Sequence, residues 1–339
     1  MDVYKNALLN VSFLGIRISF VDPGFRSLGG EPSKTIRSFN LGVRAFTPNS
    51  EHRSEKQVSD LLFDWTRRTL RDYGLDTTDV LCATSDSGSD IKRVFEKKFK
   101  VPREWCLPHL IHRAIQDAFG SSSKDKAKSK NQEAYQITKD MRRVIEFFNK
   151  SSKATQCLRE EQSDEFGKIM KLVNFAHQRW SSACRMYEVF LKNFAILQQY
   201  FMREKTPFKW PESLILRTVE ELYSILRKVN ETVTYSQNDD VICASPLSAL
   251  WQMFLELHPG SSMRMVAFNG SEGEHRAYND LSSAAKKTII VLNDGLKQRF
   301  FNRYHSINSL KHSVSAGLRR KATDALDYKH CYVFEFSGS

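Results

Sequence analysis

The chain has 339 residues, 41% of them hydrophobic and 27% charged, and a formal net charge of +12. This composition is typical of a globular protein with one large domain or two ordinary ones. No apolar run reaches the roughly 18 residues of a membrane span, so no membrane partner is expected. The positive charge favours polyanionic partners, nucleic acid first, and a solvated surface rich in lysine and arginine is the plainer alternative.

Strands and helices alternate in the first third of the chain. The stretch 11–22 is rich in Val, Ile and Phe and predicts a strand, with 35–47 as its hairpin partner and a short strand at 1–5 before it. Two further strands are predicted at 79–85 and 103–107. Helices are predicted between them and after them, from about 54 to 74, over 89–99 and over 108–119. This order indicates an α/β fold over residues 1–120.

The rest of the chain has a different character. Residues 121–132, SSSKDKAKSKNQ, predict a basic linker. Apolar residues then recur at helical spacing, which predicts an all-α domain over 133–327 with a looser, Gly- and Ser-containing loop at 259–280. The last part of that domain is strongly basic, and 328–339 form a C-terminal tail.

Carboxylates at strand ends are the first candidates for chemistry. Asp86 follows a buried strand, where α/β sheets present functional groups, although Asp86 before Ser87 and Gly88 is also good turn and helix-capping chemistry. Two-metal phosphoryl transfer requires carboxylates from separate strands, because Mg²⁺ prefers oxygen ligands. Two acids on other strands are considered: Asp2, at the very start of the chain, and Asp22, whose position before Pro23 is explained by turn formation.

Cysteine and histidine residues suggest a second kind of site. The six cysteines are scattered without a Cys-x-x-Cys pair, which indicates a reducing compartment, the cytosol or the nucleus. Cys106, His109 and His112 have the spacing C-x-x-H-x-x-H, but no second pair completes a four-ligand zinc site. A packed helix start is the expected alternative, and no zinc is expected.

Aromatic and basic residues provide candidate contacts to nucleic acid. Trp180 follows Arg179 and could stack on an unpaired base, or pack in a core. Lysines of the linker could contact phosphates or act as a nuclear localisation signal, although a plain flexible linker has the same composition. These lysines are Lys124, Lys126, Lys128 and Lys130.

Four stretches together resemble the hAT superfamily of DNA transposases, which have a ribonuclease-H-like core. MDVYKNALLNVSFLGIRISFVD is similar to the first block of the family and LCATSDSGSDIKRVF to the second. EWCLPHLIHRAI is similar to its Cys-x-x-His block, and HQRWSSACRMYEVFL to its Arg-Trp block at the edge of an inserted helical domain. The resemblance covers about residues 1–260. It implies a ribonuclease-H-like mixed sheet with helices, followed by an all-α inserted domain.

The resemblance also implies roles for individual residues. Asp2 and Asp86 correspond to the two aspartates of a triad that binds Mg²⁺ or Mn²⁺, and Trp180 to a tryptophan that stacks on a flipped base. Cys106 and His109 correspond to a structural pair beside the active site.

Two parts of the family pattern are missing from this sequence. The third acid, a glutamate in a Ser-Glu-Arg-x-Phe-like motif, is not found, and Glu335 lacks that motif. No zinc-finger domain precedes Asp2. The chain is therefore expected to be an internal piece of a transposase, without the N-terminal zinc finger and the C-terminal dimerisation segment.

Several functions follow as expectations. The first is a nuclear, transposase-derived protein that binds DNA without robust catalysis, because losing one ligand of a metal site usually removes most of the rate. The second is a Mg²⁺-dependent DNA transposase or nuclease that a partner chain completes, which would make the protein a homo-oligomer. A protein-interaction module and a remnant without function are the remaining alternatives.

Overall fold

The computed structural model describes the chain in two compact units. It describes residues 2–6, 11–22, 35–46, 57–85, 88–120, 126–174, 180–236, 244–266, 272–302 and 332–334. We call the first the sheet unit, which comprises Met1–Leu110, Ser236–Ser245 and Asn308–Ser339. The second is the helical unit, which comprises Ile111–Tyr235 and Pro246–Ile307.

The elements alternate in the sheet unit and are mainly helices in the helical unit. The strands are β1 Asp2–Asn6, β2 Val11–Asp22, β3 Thr35–Phe46, β4 Val80–Ser85, β5 Arg103–Trp105, β6 Ser262–Val266, β7 Glu272–Ala277 and β8 Tyr332–Phe334. The helices are α1 Val58–Asp72, α2 Ser89–Arg93, α3 Leu107–Ala118, α4 Gln132–Lys150, α5 Ser152–Phe166, α6 Trp180–Lys192, α7 Phe194–Arg203, α8 Leu216–Ser236, α9 Ala244–Glu256 and α10 Ser283–Leu296. α2 and α10 continue as π-helical turns over Val94–Phe99 and Lys297–Phe301.

The large sheet mixes antiparallel and parallel strands. β2 pairs antiparallel with β3 along its whole length, so the predicted hairpin is confirmed. Two strands share the other edge of β2: β1 along Val11–Gly15 and β8 at Ser19 and Phe20. Both run antiparallel to β2, so β8 and β1 lie end to end and point the same way. β4 pairs parallel with β8, and β5 pairs parallel with β4.

One face of this sheet is covered by helices. α1 contacts α2 and the π-helical turn after it, and their apolar side chains form a common core with the sheet. Its buried members are Ile16, Ile18, Leu41, Leu62, Trp65, Leu70, Val80, Ala83, Ile91, Val94, Phe95 and Phe99. β3 bulges at Leu41, and the Tyr73 hydroxyl donates a 2.7 Å hydrogen bond to the Leu41 carbonyl oxygen. That bond satisfies an acceptor that the irregular ladder presents.

The helical unit has a core that α4, α6, α7, α8 and α10 share. Most of the apolar residues predicted on one face of each helix are buried there, for example Met141 on α4 and Leu222 on α8. Ile215 was predicted on the same face as Leu222, but it lies before the first turn of α8 and is 59% exposed. The prediction of a loop at 259–280 was wrong in part, because β6 and β7 form an antiparallel hairpin. Met263 and Met265 alternate with exposed residues on β6 and are buried. Methionine is a weak strand former, so this short alternation carried little signal.

The end of the predicted linker is anchored to the helical unit. Asn131 caps α4 by accepting a hydrogen bond from the Ala134 N–H group, and its amide donates 2.9 Å bonds to the Ala118 carbonyl and the Thr288 hydroxyl. Gly120 approaches the same segment with a φ of 70°. A Cβ atom there would collide with Ser129, so the turn requires glycine.

The protein is therefore a mixed α/β molecule that is mainly helical. The predicted elements of the first third are all present among the described residues, with shifts of one to a few positions at their ends. Among the described residues, no helix combines the length and apolarity needed to cross a lipid bilayer.

Candidate nucleic-acid interface and acidic strand ends

Asp2 and the end of β4 lie at nearly the same level of the large sheet. Asp2 is paired with Gly15 of β2. On the same edge of β2, Val333 is paired with Ser19, and the next residue, Phe334, is paired with Ala83 of β4. Counting along this register, Ala83 is level with Ile18, and Ser85 is level with Ile16, one residue from Gly15.

β4 thus ends beside the row formed by β8 and β1, which lie end to end along the same edge of β2, and Asp2 belongs to this row. Neighbouring strands are about 4.8 Å apart, and one residue of offset adds about 3.3 Å. Asp86 follows Ser85 directly in the sequence but lies outside the described residues. The backbone of Asp2 is described as the first residue of β1. The register therefore brings Asp2, the first residue of β1, and Ser85, the last residue of β4, to nearly the same level of the sheet.

A buried arginine supports the end of β4. Arg103, on β5, has a side chain that is 1% exposed. Its guanidinium donates a 3.0 Å hydrogen bond to the Ser85 hydroxyl, lies 3.5 Å from the Glu96 carboxylate and stacks 4.4 Å from the Trp105 ring centroid. This buried charge fixes the side chain of the residue just before Asp86. Sequence reasoning missed Arg103, because one arginine in a short strand gives no pattern.

Cys106 and His109 lie where the chain turns from β5 into α3. The Cys106 N–H group donates a 2.8 Å hydrogen bond to the Ser85 carbonyl, and the Cys106 carbonyl accepts one from Leu110. Cys106 is 9% exposed, whereas His109 is half-buried in the first turn of α3. The segment is therefore bonded to the same strand end as Arg103. Among the described side chains there is no group of three or more His, Cys, Asp or Glu residues placed to hold a metal ion.

The predicted DNA-binding lysines differ in their surroundings. Lys126 and Lys128 are exposed on a 3-10 turn, which we call the lysine turn, and the Lys126 ammonium donates a 3.1 Å hydrogen bond to the Gln136 side chain. Lys130 forms a 2.7 Å ion pair with Asp117, which also contacts Arg299. Lys124 lies outside the described residues. Lys126 and Lys128 are thus presented to solvent, whereas Lys130 is engaged by a carboxylate of the helical unit.

The tryptophan block is described only in part. Trp180 is the first residue of α6, but its side chain and the whole of Arg179 lie outside the described part of the chain. The predictions that Trp180 stacks on a base or packs in a core therefore stay predictions. α6 itself has the expected amphipathic pattern, with Met186, Tyr187 and Phe190 fully buried.

A basic surface on α4 was not predicted. Lys139, Arg143 and Lys150 are exposed at spacings of four and seven residues, which place them on one face of the helix. The guanidinium carbon of Arg143 lies 4.0 Å from the ring centroid of Phe208. The helical spacing of these cations was visible in the sequence, but Phe208, the aromatic partner of Arg143, is distant along the chain.

No protein-family model matches this chain, and no curated protein is significantly similar to it.

Proposed function

We propose that the protein is a transposase-derived, ribonuclease-H-like protein that binds nucleic acid and has no robust catalytic activity of its own. The observation that carries the proposal is the set of exposed lysines on the helical unit: Lys126 and Lys128 on the lysine turn, and Lys139 and Lys150 on the outer face of α4. A net charge of +12 has the same sign. Exposed lysines bind phosphates with release of counterions, which gives salt-sensitive, largely sequence-independent affinity.

The mixed sheet supports the ribonuclease-H-like part of the proposal. An antiparallel hairpin, β2 and β3, stands on one side of the β8–β1 line, and parallel strands β4 and β5 stand on the other. Helices are interleaved with these strands in the chain. Asp2 and Ser85, the residue before Asp86, lie at nearly the same level of this sheet, which is compatible with a site there that carries the acids of such a fold.

Binding is tested by fluorescence anisotropy of a labelled duplex DNA against salt concentration. The Lys126→Ala, Lys128→Ala double variant should bind more weakly and lower the slope of log K against log salt by about 2, close to 0.9 for each phosphate that is no longer neutralised. Lys168 and Lys171, exposed in the loop after α5, form the matched control pair. Absence of any duplex or single-strand binding at about 50 mM salt would exclude the proposal.

A metal-dependent nuclease is the second candidate, favoured by the nearly equal levels of Asp2 and Ser85 in the sheet. Two carboxylates suit Mg²⁺ or Mn²⁺, which would polarise a phosphodiester and activate water. The third acid would come from a partner chain or from Glu335, the residue that follows β8 in the sequence. These carboxylates would bind the ions and orient them.

The nuclease is tested with Mn²⁺ and a labelled DNA hairpin. Cleavage that disappears in Asp86→Ala would replace the binding-only proposal with this candidate. Loss of cleavage in the single variant Glu335→Gln, compared with the wild type at the same protein concentration, would identify Glu335 as the third acid within the chain. Cleavage that rises with the square of protein concentration would instead indicate completion by a partner.

A further inference from the structure

The outer face of α4 carries a line of cations that the helical core leaves exposed. Lys139, Arg143 and Lys150 lie opposite the buried face of the helix, and Lys139 and Lys150 are separated by about 16 Å along the axis at 1.5 Å per residue. The buried face consists of Ala134, Ile137, Met141, Val144, Ile145 and Phe148. Lys126 is hydrogen-bonded to Gln136 on α4, so the lysine turn lies at one end of this line.

Arg143 and Phe208 form a stacking platform in the middle of the line. The guanidinium lies over the ring at 4.0 Å. Phe208 is half-buried and held by ring contacts to Phe147 at 5.8 Å and Phe201 at 5.1 Å between centroids. The ring is thus held from one side by other rings, and the exposed Arg143 lies over it. An arginine held in this way loses little conformational freedom when a ligand stacks on it.

The charges around the platform select the kind of partner. Lys205 and Lys209 are exposed on either side of Phe208 in the sequence, and Lys139 lies one helical turn from Arg143. The two nearest acids on α4 already accept hydrogen bonds from other side chains. Asp140 accepts hydrogen bonds from Gln136 and Ser213, and Glu146 accepts one from Asn174. A ligand with a flat ring flanked by negative charges fits this surface.

An unpaired nucleotide has this combination of groups. Its base can stack on the guanidinium plane, and its phosphates can reach the lysines. The bases of a duplex are already stacked and present only their edges, so duplex DNA would use the lysines alone. An acidic peptide would supply the charge without the ring.

We propose that the Arg143–Phe208 platform, with Lys139 and Lys209 beside it, binds an unpaired base of single-stranded nucleic acid. This inference rests on the proposed function and adds the form of nucleic acid that the helical unit prefers. The platform is distinct from the lysine turn, which contacts phosphates of either form.

Two variants separate stacking from charge. Phe208→Leu keeps apolar bulk against Phe147 and Phe201 and removes the ring. Arg143→Lys keeps the charge and removes the plane. Each should lower affinity for a labelled oligothymidine by about 5- to 50-fold, within the range measured for loss of one base stack, and leave affinity for a duplex of equal length within about two-fold. Arg185→Lys makes the same exchange on an exposed arginine of α6 and serves as the control.

The outcomes distinguish this inference from the proposed function. If wild-type protein binds both oligonucleotides and neither variant changes oligothymidine affinity, the platform is not used and the inference is wrong. Equal losses for duplex and single strand would reduce the surface to a phosphate track and also overturn it. If neither oligonucleotide binds, the proposed function fails as well. Equal competition by polyglutamate would assign the surface to acidic peptides.

The stability of the variants is measured alongside their binding. If Phe208→Leu lowers the melting temperature, Arg143→Lys alone decides the matter, because Arg143 is exposed and its replacement leaves the core intact.

Discussion

Residues far apart in the sequence meet in both units, but they meet through different groups. In the sheet unit they meet through the backbone, as where β8 near residue 333 pairs with β2 near residue 19 and with β4 near residue 82. In the helical unit they meet through buried side chains, as where Asn131 bonds Thr288 and Glu221 bonds Ser282. Replacing one buried side chain of the helical unit is therefore expected to lower the free energy of unfolding more than disrupting the pairing of β8 in the sheet unit.

Glu221 should give the largest effect. Its carboxylate is fully buried, lies 3.2 Å from Arg217 and 3.3 Å from Arg276, and accepts a 2.8 Å hydrogen bond from the Ser282 N–H group at the start of α10. Glu221→Ala would remove one of the two carboxylates that pair with Arg276, which keeps Glu274 at 2.8 Å, and would leave the Ser282 N–H group without its acceptor. We expect a loss of about 3–5 kcal/mol in the free energy of unfolding, measured by urea denaturation.

The same helix provides the control. Glu231 forms an i,i+4 pair with Arg227 at 2.9 Å, but its side chain is 55% exposed. Glu231→Ala should cost less than about 1 kcal/mol, because exposed ion pairs contribute little. Equal losses in the two variants would show that burial of Glu221 adds nothing to its contribution.

Asn131 should give the next largest effect. Asn131→Ala removes the cap of α4 and two donated hydrogen bonds, to Ala118 and Thr288. The cap and the buried bonds together predict a loss of about 2–4 kcal/mol in the free energy of unfolding. Asn131→Asp keeps the capping oxygen and should lose less than Asn131→Ala if the cap dominates.

The exposed Asn149 is the control for this change. Its amide makes one long hydrogen bond of 3.5 Å to the Leu172 carbonyl. Asn149→Ala should lower the free energy of unfolding by less than about 0.5 kcal/mol. A loss comparable with that of Asn131→Ala would mean that the connection to α3 and α10 is unimportant.

The sequence predicts the elements that depend on local patterns, but not the contacts between residues far apart in the chain. Hydrophobic alternation located β2 and β3, and helical spacing located α4 and α8, because both depend on local patterns. The position of β8 between β2 and β4 depends on pairing between opposite ends of the chain, which no local pattern records.

The candidate site follows the same division. Asp2 and Asp86 were selected from motifs, and the register supports the closeness of their strand segments as far as Ser85. Arg103 and Phe208 were missed, because each acquires its meaning from a residue that is distant in the sequence, Ser85 for one and Arg143 for the other.

The smallest effect is expected at β8. Val333 is paired with Ser19 on one side and Cys82 on the other, and Val333→Pro removes one N–H group from this ladder. Because β8 has only three residues, we expect a loss of about 1–2 kcal/mol in the free energy of unfolding, close to one hydrogen bond and its unsatisfied partner. Val333→Ala keeps the N–H group and should retain the backbone pairing. The two variants are compared by amide hydrogen exchange of Ser19 and Cys82. Faster exchange in Val333→Pro alone would assign the pairing to the backbone. Equal exchange in both variants and the wild type would show that β8 contributes nothing to the middle of the sheet.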